Sequence, residues 1–208
     1  MNQNKSEQIV TENEMKASPK LHQTAKVIQE FGTRFRVPIG LSDSVCEKSI
    51  SDLNVILADT ITLRDLYKKS HWQTSGVTFY QLHLLFDKHY KEQSELVDLL
   101  AERIQILGGI SVAMAKDVAA LSEIENPPKG REEVPVQLSR LVEAHEVLFK
   151  SAREAAKTAA ENGDDGTNDI LVSDVLRTNE LQTWFVSEHL VSLSPAQAEG
   201  ESSNQPRQ

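Results

Sequence analysis

Residues 71–109 read HWQTSGVTFYQLHLLFDKHYKEQSELVDLLAERIQILGG, and from Thr78 to Leu107 they hold neither proline nor glycine. That run predicts one uninterrupted helix, opened by Thr78 with Gln81 at capping-box spacing and stopped by Gly108 and Gly109. Its metal-binding residue types fall in two pairs. His83 and Asp87 are i, i+4 neighbours, as are Asp98 and Glu102, so each pair presents two side chains on one face. His71, beside Trp72, stands just before the break at Gly76. Imidazole and carboxylate together suit a divalent transition-metal ion. Asp87 and Asp98, however, are separated by about 16 Å along the helix axis, at ~1.5 Å per residue. One metal ion cannot touch both. For all five groups to serve one site, Asp98 and Glu102 must come from a second, antiparallel copy, which places the site across a two-fold dimer interface.

The rest of the chain supplies further helices around this one. Ser44 with Glu47 has capping-box spacing and opens a first helix through Leu53, Leu57 and Ile61 toward His71. Residues 112–121 suit a short helix within a long connection, and NPPKGREEVP comes next as a rigid loop. A third helix carries Leu138, Leu141, His145, Leu148, Ala152, Ala155 and Ala159 at three-four spacing, a core-facing stripe on which His145 reads as a packed histidine. Gly163 ends it, and a fourth helix is expected from Asn168 to Leu193. Residues 1–43 read as a flexible arm and residues 194–208 as a disordered tail. No internal repeat and no strand-like alternation appears.

Connectivity gives a further candidate. Short connections make helices one and two antiparallel, and likewise three and four, while the stretch from Gly108 to Val134 is long enough to cross the bundle. Helices one and four then run parallel, which puts His189 at the same end as His71 and His83. It is an extra ligand there, a hydrogen-bonding partner of one, or a residue packed inward one turn after Phe185.

The chain has 208 residues, 39% of them hydrophobic, enough for one well-buried domain with tails. Cys46 is its one cysteine, so no intramolecular disulfide forms and a reducing compartment is expected. The polar N-terminus lacks a signal peptide's apolar core, and no run reaches the length of a membrane span. A cytoplasmic protein, with the nucleoid as a secondary location, is the expectation. The net charge of -9 disfavours general nucleic-acid binding and suits a cation-attracting interior.

The joint spacing of His71, His83, Asp87, Asp98 and Glu102, the last within an AER segment, resembles the Dps family, the miniferritins of starved bacterial cells. The likeness covers residues 50–193, and FYQLHLLFDKHY with PPKGREEVPVQLSRL is most similar to the cyanobacterial branch. It implies an all-α, ferritin-like four-helix bundle with a short helix in the long connection between helices two and three. It also implies a hollow homododecamer built from two-fold dimers. In such a cage the five residues form an intersubunit ferroxidase centre, which oxidises Fe(II) with hydrogen peroxide or oxygen, stores ferric mineral and protects against oxidative stress. Trp72, otherwise an interface filler, would lie near the irons and donate an electron to stray oxidants. Asp164, Asp165 and Asp169 have two compatible readings: a polar turn with helix N-terminal carboxylates, and the lining of a three-fold channel that admits Fe(II).

Some features stand apart from that pattern. Leu84 and Lys88 occupy positions where many relatives have acidic residues thought to seed mineral. No histidine has a glutamate three residues before it, which disfavours a di-iron site inside one subunit. Zinc competes for the same donors. The alternative function is a DNA-compacting or structural cage with little ferroxidase activity. Phosphate contacts need Lys and Arg, yet the arm mixes Lys5, Lys16, Lys20, Lys26, Arg34 and Arg36 with Glu7, Glu12, Glu14 and Glu30, and the tail sets Arg207 against Glu199 and Glu201. DNA binding is expected to be weak or absent.

Overall fold

The computed structural model describes residues 26–191, so the expectations for residues 1–25 and for the tail from 194 lie outside the described residues. Residues 26–30 belong to a separate unit without helix or strand. From Phe31 onward the described chain is all-helical, in the order α1 (Asp43–Gln73), α2 (Phe79–Ile106), α3 (Ala115–Leu121), α4 (Val134–Glu161), α5 (Asp165–Asp169), a π-helical stretch (Ile170–Leu176) and α6 (Arg177–Glu188). No described helix is long and apolar enough to cross a membrane.

Helix starts differ in detail from the capping expectations. Ser42, not Ser44, caps α1: its Oγ accepts from the Val45 N–H at 3.4 Å, and Asp43 enters the first turn. Thr78 does stand at the start of α2, but its side chain makes no capping hydrogen bond. The stop of α2 is as anticipated, and it serves a second purpose. Gly108 has φ +88°, and a Cβ there would lie 2.1 Å from the Phe35 carbonyl oxygen. This close approach lets the Phe35 N–H donate to the Gly108 carbonyl and Arg34 Nε donate to the Leu107 carbonyl. Residues 34 and 35, part of the expected arm, are therefore tied to the bundle.

Contacts along the helices fix their directions. Tyr67 of α1 packs on Phe86 and His89 of α2, while His71 faces His83, so α1 and α2 are antiparallel. His89 packs on Phe185, and Gln93 bonds to Asn179 and Gln182, so α2 and α6 are antiparallel as well. Helices α1 and α6 therefore run parallel, as the long crossover between α2 and α4 anticipated. The α4 stripe is buried from Leu138 to Ala159, His145 included.

The fourth helix starts earlier than expected, at Asp165 after the cap Asp164, and contains seven π-helical residues. A π segment takes more than the usual 3.6 residues per turn, so it rotates the residues beyond it relative to their places on a regular helix. The buried Asn179 and Gln182 come after this shift and meet Gln93 at 2.8 and 2.9 Å.

His145 lies at the centre of this interior, with Nε2 2.6 Å from Tyr67 Oη. Burial, with a smaller contribution from His89, pushes its imidazole down to about 3 from 6.5. The unfolded chain therefore binds a proton between those values that the folded chain refuses. Its contribution to stability is thus complete above 6.5 and is lost as pH falls toward 3. His145→Gln should flatten the pH dependence of stability there by up to one proton, about 1.4 kcal/mol per pH unit, measured by denaturant unfolding at a series of acidic pH values.

Candidate metal site

His71 lies in the last turn of α1 and His83 in the second turn of α2, brought together by a tight connection in which Gly76 adopts φ +85°. Each ring is oriented by the other's backbone. His71 Nδ1 is 2.7 Å from the His83 carbonyl, and His83 Nδ1 is 2.9 Å from the His71 carbonyl. A carbonyl oxygen can only accept, so both Nδ1 atoms carry the proton. In the neutral rings, each Nε2 then keeps its lone pair, the tautomer that a metal-binding histidine held by a carbonyl adopts. The rings stack at 3.7 Å and 22°, and Phe79 supports His83 from 5.1 Å. The i, i+4 pattern pointed to His83, but the reciprocal bonding depends on the hairpin register, which no local pattern states.

Asp87 lies one turn further along α2 and is already paired. Lys68 Nζ donates to Oδ1 at 2.7 Å and Lys91 Nζ approaches Oδ2 at 2.9 Å. These bonds, Lys68 first, hold the carboxyl well below the usual carboxylate range. An incoming cation must compete with both ammonium groups. Lys91, at i+4 from Asp87, was legible in the sequence; Lys68 reaches it only through helix packing.

Asp98 and Glu102 are exposed on the distal half of α2. Their neighbour Arg103 does not pair with Glu102, the ordinary alternative in the sequence. It turns instead to the buried Asp164, bonding through Nη2, while Nε donates to Thr167 Oγ1 at 3.0 Å. Glu102 is left without that cation. Among the described residues of one chain, no three of His, Cys, Asp and Glu gather into a metal-holding group. The fold brings His71 and His83 together and leaves Asp98 and Glu102 farther along the rod.

The three aspartates after Gly163 divide. Asp164 is fully buried and accepts from Ser49 Oγ at 2.7 Å, from the Thr167 N–H at 3.1 Å and from Arg103. Burial pushes its carboxyl up, but Ser49, Thr167 and the Arg103 charge outweigh that and hold it below the usual range. This is the turn-and-cap role. Asp165 and Asp169 are exposed, Asp169 accepting from Ser173 Oγ at 2.8 Å.

His189 ends α6 as an exposed C-cap residue, and no hydrogen bond or ring contact joins it to His71 or His83 among the described residues. Trp72 is 68% exposed, and with Val77, Phe79, Tyr80 and Leu84 it makes the hairpin surface strongly apolar. Such a surface beside a polar site marks an interaction face.

Comparison with known proteins agrees with this architecture. The ferritin-like domain family matches residues 50–195. An uncharacterised protein of Kitasatospora aureofaciens is 51% identical over 72% of this chain and all of its own length. The structure of DpsC from Streptomyces coelicolor superposes with TM-score 0.80 at 55% identity, covering 81% of this chain and 98% of that one. A nutrient stress-induced DNA-binding protein of the cyanobacterium Nostoc is 30% identical over 76% of this chain and 85% of its own. The cyanobacterial likeness is thus present, but lower than that to the Kitasatospora and Streptomyces chains.

The Arg103–Asp164 pair predicts a stability effect separable from metal chemistry. Asp164→Ala strands a largely buried guanidinium and removes the cap of α5, and should lower stability by about 3–5 kcal/mol. Denaturant unfolding of the assembled protein measures it, with Asp165→Ala as the near-neutral control.

Proposed function

We propose, for a chain that belongs to the Dps family of ferritin-like proteins, that it is a ferroxidase and iron store whose sites are each shared by two subunits. The family is broadly one of iron storage and oxidative protection. The finer reading is that Fe(II) is oxidised by hydrogen peroxide or oxygen, and that the ferric product is kept in a hollow dodecamer built from two-fold dimers. One observation carries it: the His71–His83 pair offers two preoriented Nε2 donors beside an exposed apolar face, while the free carboxylates Asp98 and Glu102 lie too far along the same rigid helix to join them.

In this reading His71 and His83 hold Fe(II) from one subunit, and Asp98 and Glu102 close the site from the other. Asp87, once a divalent cation displaces Lys68 and Lys91, adds a carboxylate that favours the ferric product. Two Fe(II) give one electron each to a peroxide molecule, which leaves as two hydroxides. Trp72, at the interface, is placed to give an electron to a stray oxidant. His189, at the C-terminal end of α6 as His71 is at that of α1, would act as a tuning residue in the assembled cage. Zinc, which takes the same donors, competes with iron. Asp165 and Asp169 draw Fe(II) toward the interior, with Asp164 anchoring their turn. The Nostoc relative's name speaks of DNA, but phosphate binding depends on clustered Lys and Arg, and a net charge of -9 favours weak or absent DNA binding here.

Complementation tests the shared site. Chains carrying His83→Ala with Asp87→Ala, mixed with chains carrying Asp98→Ala with Glu102→Ala, should regain activity, since each mixed interface keeps one intact site of two. Ferric absorbance after Fe(II) and peroxide is the readout. Verified hybrids as inactive as either parent would exclude intersubunit sharing.

Uptake gives a second test. Asp165→Asn with Asp169→Asn should slow Fe(II) uptake several-fold at low ionic strength and flatten its salt dependence. Unchanged low-salt kinetics would leave these residues with a turn role only.

A further inference from the structure

Inside the bundle, away from the proposed iron site, lies a polar cluster contributed by four helices: Tyr67 from α1, His89 and Gln93 from α2, His145 from α4, and Asn179 and Gln182 from α6. All six are buried. An apolar interior would serve stability as well or better, so a hydrogen-bonded Tyr–His pair at its centre invites a chemical explanation.

Tyr67 Oη and His145 Nε2 are 2.6 Å apart. Burial keeps both groups neutral, raising the phenol well above 10 and lowering the imidazole to about 3. In the tautomer that carries its proton on Nδ1, the phenol O–H donates and Nε2 accepts. This arrangement eases one-electron oxidation of a tyrosine. Losing an electron alone would leave a strongly acidic radical cation in a low-dielectric interior. With a base already bonded, the proton crosses to nitrogen as the electron departs.

Position adds to the argument. Tyr67 is one helical turn before His71 on α1, about 6 Å of rise. Its ring meets His89 edge-on at 5.0 Å and lies 6.1 Å from Phe86, so it contacts the helix that carries His83 and Asp87. The other tyrosines are built differently. Tyr80 is 68% exposed, and the Lys68 ammonium sits 4.6 Å from the centre of the Tyr90 ring, which opposes positive charge there. Neither has a hydrogen-bonded base among the described residues.

We propose that Tyr67 and His145 form an internal proton-coupled electron donor that quenches one-electron oxidants of the hydroxyl-radical class formed from Fe(II) and peroxide. This rests on the ferroxidase reading for the source of oxidant. The oxidant takes one electron from Tyr67 and becomes hydroxide, and the phenolic proton moves to His145 Nε2. A tyrosyl radical and an imidazolium remain. An electron from a further Fe(II), which becomes Fe(III), and the proton returning from Nε2 restore the pair. The role differs from that proposed for Trp72, which is exposed and has no such base among the described residues.

The test uses assembled full-length protein with ring-deuterated tyrosine, mixed anaerobically with Fe(II), then with peroxide, and freeze-quenched for electron paramagnetic resonance. The wild type should give a transient radical signal narrowed by ring deuteration. Tyr67→Phe should reduce it at least tenfold, while Tyr80→Phe and Tyr90→Phe retain it. His145→Gln should lower the yield several-fold and change the g-anisotropy, because no imidazolium then donates to the radical oxygen. Spin-trapped hydroxyl radical should rise in Tyr67→Phe.

Ferric absorbance is followed in the same samples, and gel filtration verifies assembly. An iron-free arm, with a photoexcited ruthenium complex and persulfate as oxidant, interrogates the pair even if iron oxidation fails and the ferroxidase reading falls with it. The proposal is overturned by a signal that survives Tyr67→Phe, or by no tyrosyl signal in either arm. A Tyr67-dependent phenolate-to-Fe(III) absorption band would also overturn it, by making Tyr67 a ligand instead.

Discussion

A straight 28-residue helix is a rod about 42 Å long, and the arrangement of this protein's chemistry depends on that stiffness. Helix α2 carries His83 and Asp87 near one end and Asp98 and Glu102 well along it, with no glycine or proline to fold one toward the other. A site needing both ends cannot close within one chain. The exposed apolar hairpin around Trp72, which an isolated subunit would leave in water, is the natural complement of that constraint. In the proposed assembly, hydrophobic burial between copies and completion of a metal site would call for the same face.

The bundle was legible because its signals are local. An unbroken run ended by Gly108, a three-four stripe from Leu138 to Ala159, and the length of the α2–α4 crossover each act over short stretches of chain, and together they determine helix number and direction. The candidate ligands were legible as spacings. Their partners were not. Lys68 on Asp87, Arg103 on Asp164, and the two carbonyls that orient His71 and His83 are all contacts between separate elements, set by helix register. Ser44 reads as the cap because Glu47 stands three residues on; in the structure Ser42 takes the role two residues earlier, and Arg34, folding back from the arm, pairs with Asp43 in the first turn.

The π-helical stretch has a similar lesson. ILVSDVL contains nothing that breaks a helix, and its apolar residues fit a regular one. The interior just beyond it is polar. Gln93 finds both Asn179 and Gln182 within bonding distance, and Gln182 in turn reaches Glu92 at 2.9 Å. Buried amides left unbonded would each cost about 1–3 kcal/mol, enough to offset a locally irregular backbone. The polar centre and the irregular helix are thus one feature, and Tyr67 with His145 lies beside it.

The carboxylates sort themselves by the cations that their own chain provides. Asp164 is locked to Arg103 and serves the fold. Asp87 is held by two lysines on a partly exposed face, and a divalent ion binding there would have to displace them. Arg103, the cation nearest to Asp98 and Glu102 in sequence, is committed to Asp164 and so does not serve them. Leaving two carboxylates together on one face of a helix is mildly unfavourable in an isolated subunit, since like charges at i, i+4 repel by a few tenths of a kcal/mol. In the proposed intersubunit site, a cation between them and the histidines of another copy would relieve that repulsion. With Arg103 bound to Asp164, Glu102 keeps an exposed carboxylate, which the proposed intersubunit site would use.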